Sequence, residues 1–158
     1  MFSLFFTLTL ALTACSGGPD AASLLASVEA KAAAKDFIGA VTEADQALKL
    51  QVVSGDAATA WRFESARLSA LAMGGKGAEV KESLERLATT YNAQVTCPLY
   101  LALADKVRAA GDGPGYTDLL DAGVKKCPDE AAFASKIEEL KGSADPAEIE
   151  RLKALGYL

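Results

Sequence analysis

The chain has 158 residues, 16 Lys and Arg against 21 Asp and Glu, a net charge of −5 and no histidine. A mildly acidic chain with no basic block argues against nucleic acid, whose binding rests on phosphate neutralisation by Lys and Arg, and against adsorption to anionic lipid. Lacking histidine, it loses the commonest general base, proton shuttle and metal ligand together. No Ser-x-x-Lys, Gly-x-Ser-x-Gly, Gly-Lys-Ser/Thr or Cys-x-x-Cys arrangement replaces it, so the expectation is no enzyme, no cofactor and no metal.

Phe2 to Ala14 carry no charge and are mostly apolar. The run is too short to cross roughly 30 Å of hydrocarbon, which takes about 20 apolar residues, and it fits the core of a secretory signal. It closes on Leu12-Thr13-Ala14-Cys15, small residues before a cysteine. This stretch resembles a bacterial lipobox. The resemblance implies that the signal peptide 1–14 is removed and that Cys15 becomes a lipidated first residue, carrying diacylglyceryl and fatty acyl (palmitate) chains. Two or more chains anchor stably, which would place the protein in the cell envelope, facing the periplasm. Ser16, where Asp often marks inner-membrane retention in such lipoproteins, favours the outer membrane. No Lys or Arg precedes the apolar run, so ordinary secretion and an uncleaved anchor stay open beside lipidation. Gly17-Gly18-Pro19 makes residues 15–20 a flexible tether.

From Ala21 the apolar residues recur at helical spacing, with Gly, Pro and Asp at the breaks. Leu24, Leu25 and Val28 begin a first helix ending near Lys35-Asp36. Phe37, Val41, Ala44 and Leu48 form the core-facing stripe of a second, and Ser54-Gly55-Asp56 is a turn. Trp61, Leu68 and Leu71 mark a third helix, closed by Gly74-Gly75-Lys76-Gly77. Val80, Leu84, Leu87 and Tyr91 mark a fourth. Cys97-Pro98 opens a fifth carrying Leu99, Leu103 and Val107, and Gly111-Asp112-Gly113-Pro114-Gly115 breaks it from a sixth with Tyr116, Leu119, Leu120 and Val124. Phe133, Ile137 and Leu140 belong to a seventh. An eighth opens on Asp145-Pro146-Ala147-Glu148, a cap with proline at the first position. It ends at Gly156, a left-handed cap, with Tyr157 folding back. Eight helices in four antiparallel pairs predict an all-α fold over 21–158.

Lys35-Asp36-Phe37-Ile38-Gly39-Ala40-Val41 to Ala47-Leu48-Lys49-Leu50 resembles the second half of a tetratricopeptide repeat. Gly77 to Leu87 repeats it more weakly, with Val80 at the place of Ala40 and Leu87 at that of Ala47. Tyr116 to Pro128 is a third echo. The resemblance implies antiparallel hairpins stacked as a short TPR-like α-solenoid, with small residues at 40 and 47 for close helix approach. Departures are the missing signature Trp and Tyr of the first helices and a step of 40 residues from Ala40 to Val80, against about 34 in the family. An unrelated α-helical bundle remains the alternative.

Cys97 begins the fifth helix and Cys127 ends the sixth, and those ends are neighbours in an antiparallel hairpin. An exported chain sits where disulfides persist, and lipid on Cys15 leaves an even pair. A Cys97–Cys127 disulfide is expected over two unpaired buried thiols, and over a reactive thiol or metal pair because no histidine is available to activate or complete either. Trp61, Arg62 and Arg67 on the third helix, with Tyr100 on the fifth, are the candidate partner-binding residues. First helices of such repeats line a groove, where the arginines would meet carboxylates and Trp61 apolar groups. The plainer reading puts Trp61 in the core with the charges as its solvated flank. The function expected is a membrane-anchored interaction module for another envelope protein or peptide segment, serving as adaptor, scaffold or assembly factor. The alternative is a lipoprotein binding a small molecule or a cell-wall fragment.

Overall fold

A computed structural model describes residues 20–142 and 145–158. The leader, Cys15 and the tether to Pro19 lie outside the described residues. The fold is all-helical there: α1 (Ala21–Ala33), α2 (Phe37–Ala47), α3 (Gln51–Ser54), α4 (Ala57–Met73), α5 (Gly77–Thr90), α6 (Cys97–Ala109), α7 (Gly113–Lys126), α8 (Ala131–Lys141) and α9 (Pro146–Ala154). The sequence predicts eight helices; the ninth is the short α3. Val53 explains it. That side chain is fully buried in the first hairpin's core, which pulls the segment after α2 into one helical turn against α4.

Aspartate starts most of these helices. Asp20, Asp36, Asp56, Asp112 and Asp145 each accept a backbone N–H of the turn that follows, which satisfies donors with no partner inside the helix. The turns joining first to second helices share a form. Lys35, Gly75 and Gly111 sit at φ 63°, 67° and 88°, and the following amides return to Lys31, Leu71 and Val107 carbonyls. This is the left-handed helix stop that glycine adopts freely.

α1 packs on α2, α4 on α5, α6 on α7 and α8 on α9; α4 also meets α1 and α6, and α7 meets α5 and α9. The core falls in two clusters. One joins α1, α2, α3 and part of α4 through Leu25, Val28, Ala40, Ala44, Ala47, Val53, Phe63 and Ala70. The other runs from Leu68 to Leu152 through the remaining helices. In α2 the buried stripe is Ala40, Ala44 and Ala47, whereas Phe37, Val41 and Leu48 of the expected stripe are half-buried. Alanine wins because α1 and α4 both pack on α2, and small side chains permit two close approaches.

α5 and α7 approach more closely still. A Cβ on Gly77 would lie 2.5 Å from the Gly115 Cα, so both positions exclude a side chain. Asp112 bridges the junction, one carboxylate oxygen accepting from Gly115 and the other from Gly77, each at 2.8 Å. The second bond matters because Lys76, at the N-cap of α5, offers no side-chain acceptor.

Candidate functional site

α1, α4 and α6 together form an open groove of about 550 Å³. Its wall on α1 is Leu25, Val28, Glu29 and Ala32, and its floor on α4 is Trp61, Arg62, Ser65, Ala66, Ser69 and Met73. Lys106 reaches in from α6, donating from Nζ to Ser69 Oγ at 2.7 Å. The α4 residues recur at steps of three and four, one face of a helix. Trp61 is half-buried, its ring centroid 5.4 Å from that of Tyr91. That contact fixes the indole while leaving an edge on the groove. Arg62 is exposed, and among the described residues it makes neither a hydrogen bond nor an ion pair. An apolar lining with cations at Arg62 and Lys106 and an acid at Glu29 suits a segment carrying both apolar and carboxylate groups.

The four candidate residues separate. Trp61 and Arg62 line the groove. Arg67 does not; its Nε donates to Asp45 Oδ1 at 2.5 Å and its Nη1 to Ser83 Oγ at 3.0 Å, tying α2, α4 and α5 together. Helical geometry explains the split, because residues five apart stand about 140° apart around the axis. Tyr100 is 3 % exposed in the main core, and burial raises its phenol pKa, so it offers no surface to a partner. Glu29, Ser65, Ser69 and Lys106 were missed. The serines carried a signal, since they follow Arg62 at three and seven positions. Glu29 and Lys106 lie on other helices and had none.

Cys97 and Cys127 are bonded, with Cα atoms 6.1 Å apart and a separation of 30 positions in sequence. The bridge consumes both thiols and staples the start of α6 to the end of α7. In the chain-entropy account a loop of that size contributes about 3–4 kcal/mol.

Charged contacts elsewhere tie helices to each other. Glu64, 6 % exposed, meets Arg86 across α4 and α5 at 3.1 Å. Arg108 lies 4.8 Å over the Tyr116 ring, and its Nε is 3.7 Å from the buried Glu148. Lys136 donates to Asp105 at 2.8 Å, a hydrogen bond that raises the lysine pKa. Among the described residues no group of three or more Cys, Asp or Glu is placed to hold a metal, and no helix is long and apolar enough to cross a membrane. No protein-family model, curated protein or solved structure matches the chain.

Proposed function

We propose that this protein is a lipid-anchored, non-enzymatic interaction module of a bacterial cell envelope. Its hairpins stack in a TPR-like α-solenoid, and the groove of α1, α4 and α6 receives a segment of another envelope protein. Support for the stacking comes from the contacts of α1 with α4 and α4 with α6 among first helices, and of α5 with α7 and α7 with α9 among second helices. The lipobox-like Leu12 to Cys15 supports the anchor, and Ser16 favours the outer membrane.

The observation that carries the partner reading is the groove itself: among the described residues, Arg62 is unpaired beside the apolar side chains that line it, and Lys106 is held by a serine hydroxyl alone. A peptide with a carboxylate near an apolar side chain satisfies both cations and covers Trp61. The groove is open to solvent rather than enclosed, which favours a chain segment over an enclosed small molecule or cell-wall fragment.

Photo-crosslinking in intact cells tests the reading. A crosslinking residue at Ser65 captures a discrete protein partner, one at the exposed Glu138 does not, and Arg62→Glu abolishes the Ser65 adduct. Equal capture from both positions, or none from Ser65, refutes the groove as the partner site. Fatty-acid labelling that persists in Cys15→Ala refutes the anchor at that thiol.

A further inference from the structure

Among the described residues four large apolar side chains stand exposed: Ile38, Leu50, Val52 and Leu158, at 79 %, 42 %, 51 % and 54 %. Two of them belong to one short segment, Leu50 to Ser54. Val53 holds that segment to the core with no exposed surface, so its neighbour Val52 is turned to solvent on the other side of the turn. The segment has a definite place. α1 and α2 form a hairpin through the turn at 34–36, which sets the start of α1 beside the end of α2, where Leu50 and Val52 follow. Ile38 lies at the opposite end of the same hairpin.

The chain preceding α1 fixes what that end meets. Five peptide steps separate Cys15 from Asp20, a span of about 18 Å at most. That is shorter than α1 itself, whose thirteen residues rise about 20 Å. Lipid on Cys15 therefore keeps the Asp20 end within about 18 Å of the bilayer, while the Ile38 end lies a helix length further along the chain. Exposed Lys49 is the cation nearest the segment in sequence, and Asp20 and Asp56 flank it at the starts of α1 and α4. Cap hydrogen bonds lower the pKa of both aspartates, so this end carries no net positive charge to draw it to anionic lipid.

We propose that Leu50 and Val52 form a second bilayer contact, inserting shallowly into the membrane interface beside the acylated Cys15 and fixing the direction in which the groove opens. This inference rests on the lipid-anchor reading above. The contact is apolar: Leu50 and Val52 enter the headgroup boundary, while Lys49 extends its stem beside them and keeps its ammonium in water.

The test uses the mature full-length protein in vesicles of phosphatidylethanolamine and phosphatidylglycerol. With Cys15 acylated and Cys97 bonded to Cys127, the only free thiol in Val52→Cys or Ile38→Cys is the introduced one, and each is labelled with an environment-sensitive fluorophore. Emission at position 52 shifts to the blue and is quenched by nitroxide-labelled lipid, equally in low and high salt; emission at position 38 does neither. Leu50→Ser weakens the quenching at 52. If the N-terminal peptide carries its acyl mass and position 52 stays in water, the second contact is refuted and the anchor stands. Quenching at 38 in place of 52 refutes it as well. An N-terminal peptide without acyl mass refutes the anchor and this inference together.

Discussion

Lys35 is the one non-glycine among the described residues with a left-handed backbone, at φ 63°. Its counterparts at the same helix stop are Gly75 and Gly111. A side chain there costs roughly 1–2 kcal/mol, part of which glycine returns through the freedom of the unfolded chain. Lys35→Gly is expected to raise stability by about 1 kcal/mol, read as a higher urea midpoint at constant slope. Tyr116 is a second strained choice. Its hydroxyl is buried with no hydrogen-bond partner that meets ordinary geometry among the described residues, and Tyr116→Phe is expected to stabilise by up to about 1 kcal/mol at neutral pH, since the unsatisfied group is removed. Burial raises the phenol pKa of Tyr100, Tyr116 and Tyr157 above 10.0, with the Asp121 hydrogen bond adding to it at Tyr157. A raised phenol pKa means that folding favours the protonated form. The associated stability is complete below the unfolded value and is lost as pH rises through the folded ones. Thermal midpoints are therefore expected to fall above pH about 10, and Tyr116→Phe to make that fall shallower.

At the scale of elements, Asp112 does the work of two caps. It starts α7 through Gly115 and α5 through Gly77, where Lys76 supplies no acceptor of its own. Asp36 starts α2 alone. Losing one cap costs typically about 1 kcal/mol, so Asp112→Ala is expected to cost about 2 and Asp36→Ala about 1. Hydrogen exchange should then accelerate at both Gly77 and Gly115 amides in the first variant; acceleration at Gly115 alone would show the cross-helix bond to be idle. This division marks what the sequence could reveal. Caps, glycine stops and the Cys97–Cys127 neighbourhood depend on nearby residues and helix polarity, and they were legible. That Trp61 and Arg62 stand side by side on one helix was legible for the same reason. What was hidden depends on contacts between distant helices: the half-exposure of Phe37, Val41 and Leu48, α3 held by Val53, Arg67 drawn to Asp45 and Ser83, and Lys106 arriving in the groove from α6. Hydrophobic periodicity ranks large apolar residues as core, and it fails where two helices must both come close.

At the scale of the molecule, the two core clusters divide stability unevenly. Half of the one holding α1 and α2 is alanine, with Leu25, Val28, Val53 and Phe63 as its larger members. The other carries nine leucines from successive helices, the buried Tyr116 and Phe133, and the disulfide. Apolar burial contributes in proportion to area, about 25 cal/mol per Å², so the alanine-rich end opens at lower free energy than the rest. α1 is nevertheless one wall of the groove, contributing Leu25, Val28, Glu29 and Ala32. Opening and binding are therefore linked: a segment that fills the groove binds only the chain with α1 docked, and it stabilises that state by mass action. Hydrogen exchange is expected to show α1 amides less protected than those of α7 in the free protein, with protection of α1 rising when a partner segment is added and α7 changing little. Val28→Ala should lower α1 protection further and weaken the partner without altering any groove charge, whereas Arg62→Glu should weaken the partner and leave α1 protection in the free protein unchanged. If Val28→Ala loosens α1 and binding is unaffected, the partner does not depend on a docked first helix, and the groove of α1, α4 and α6 is not where it sits.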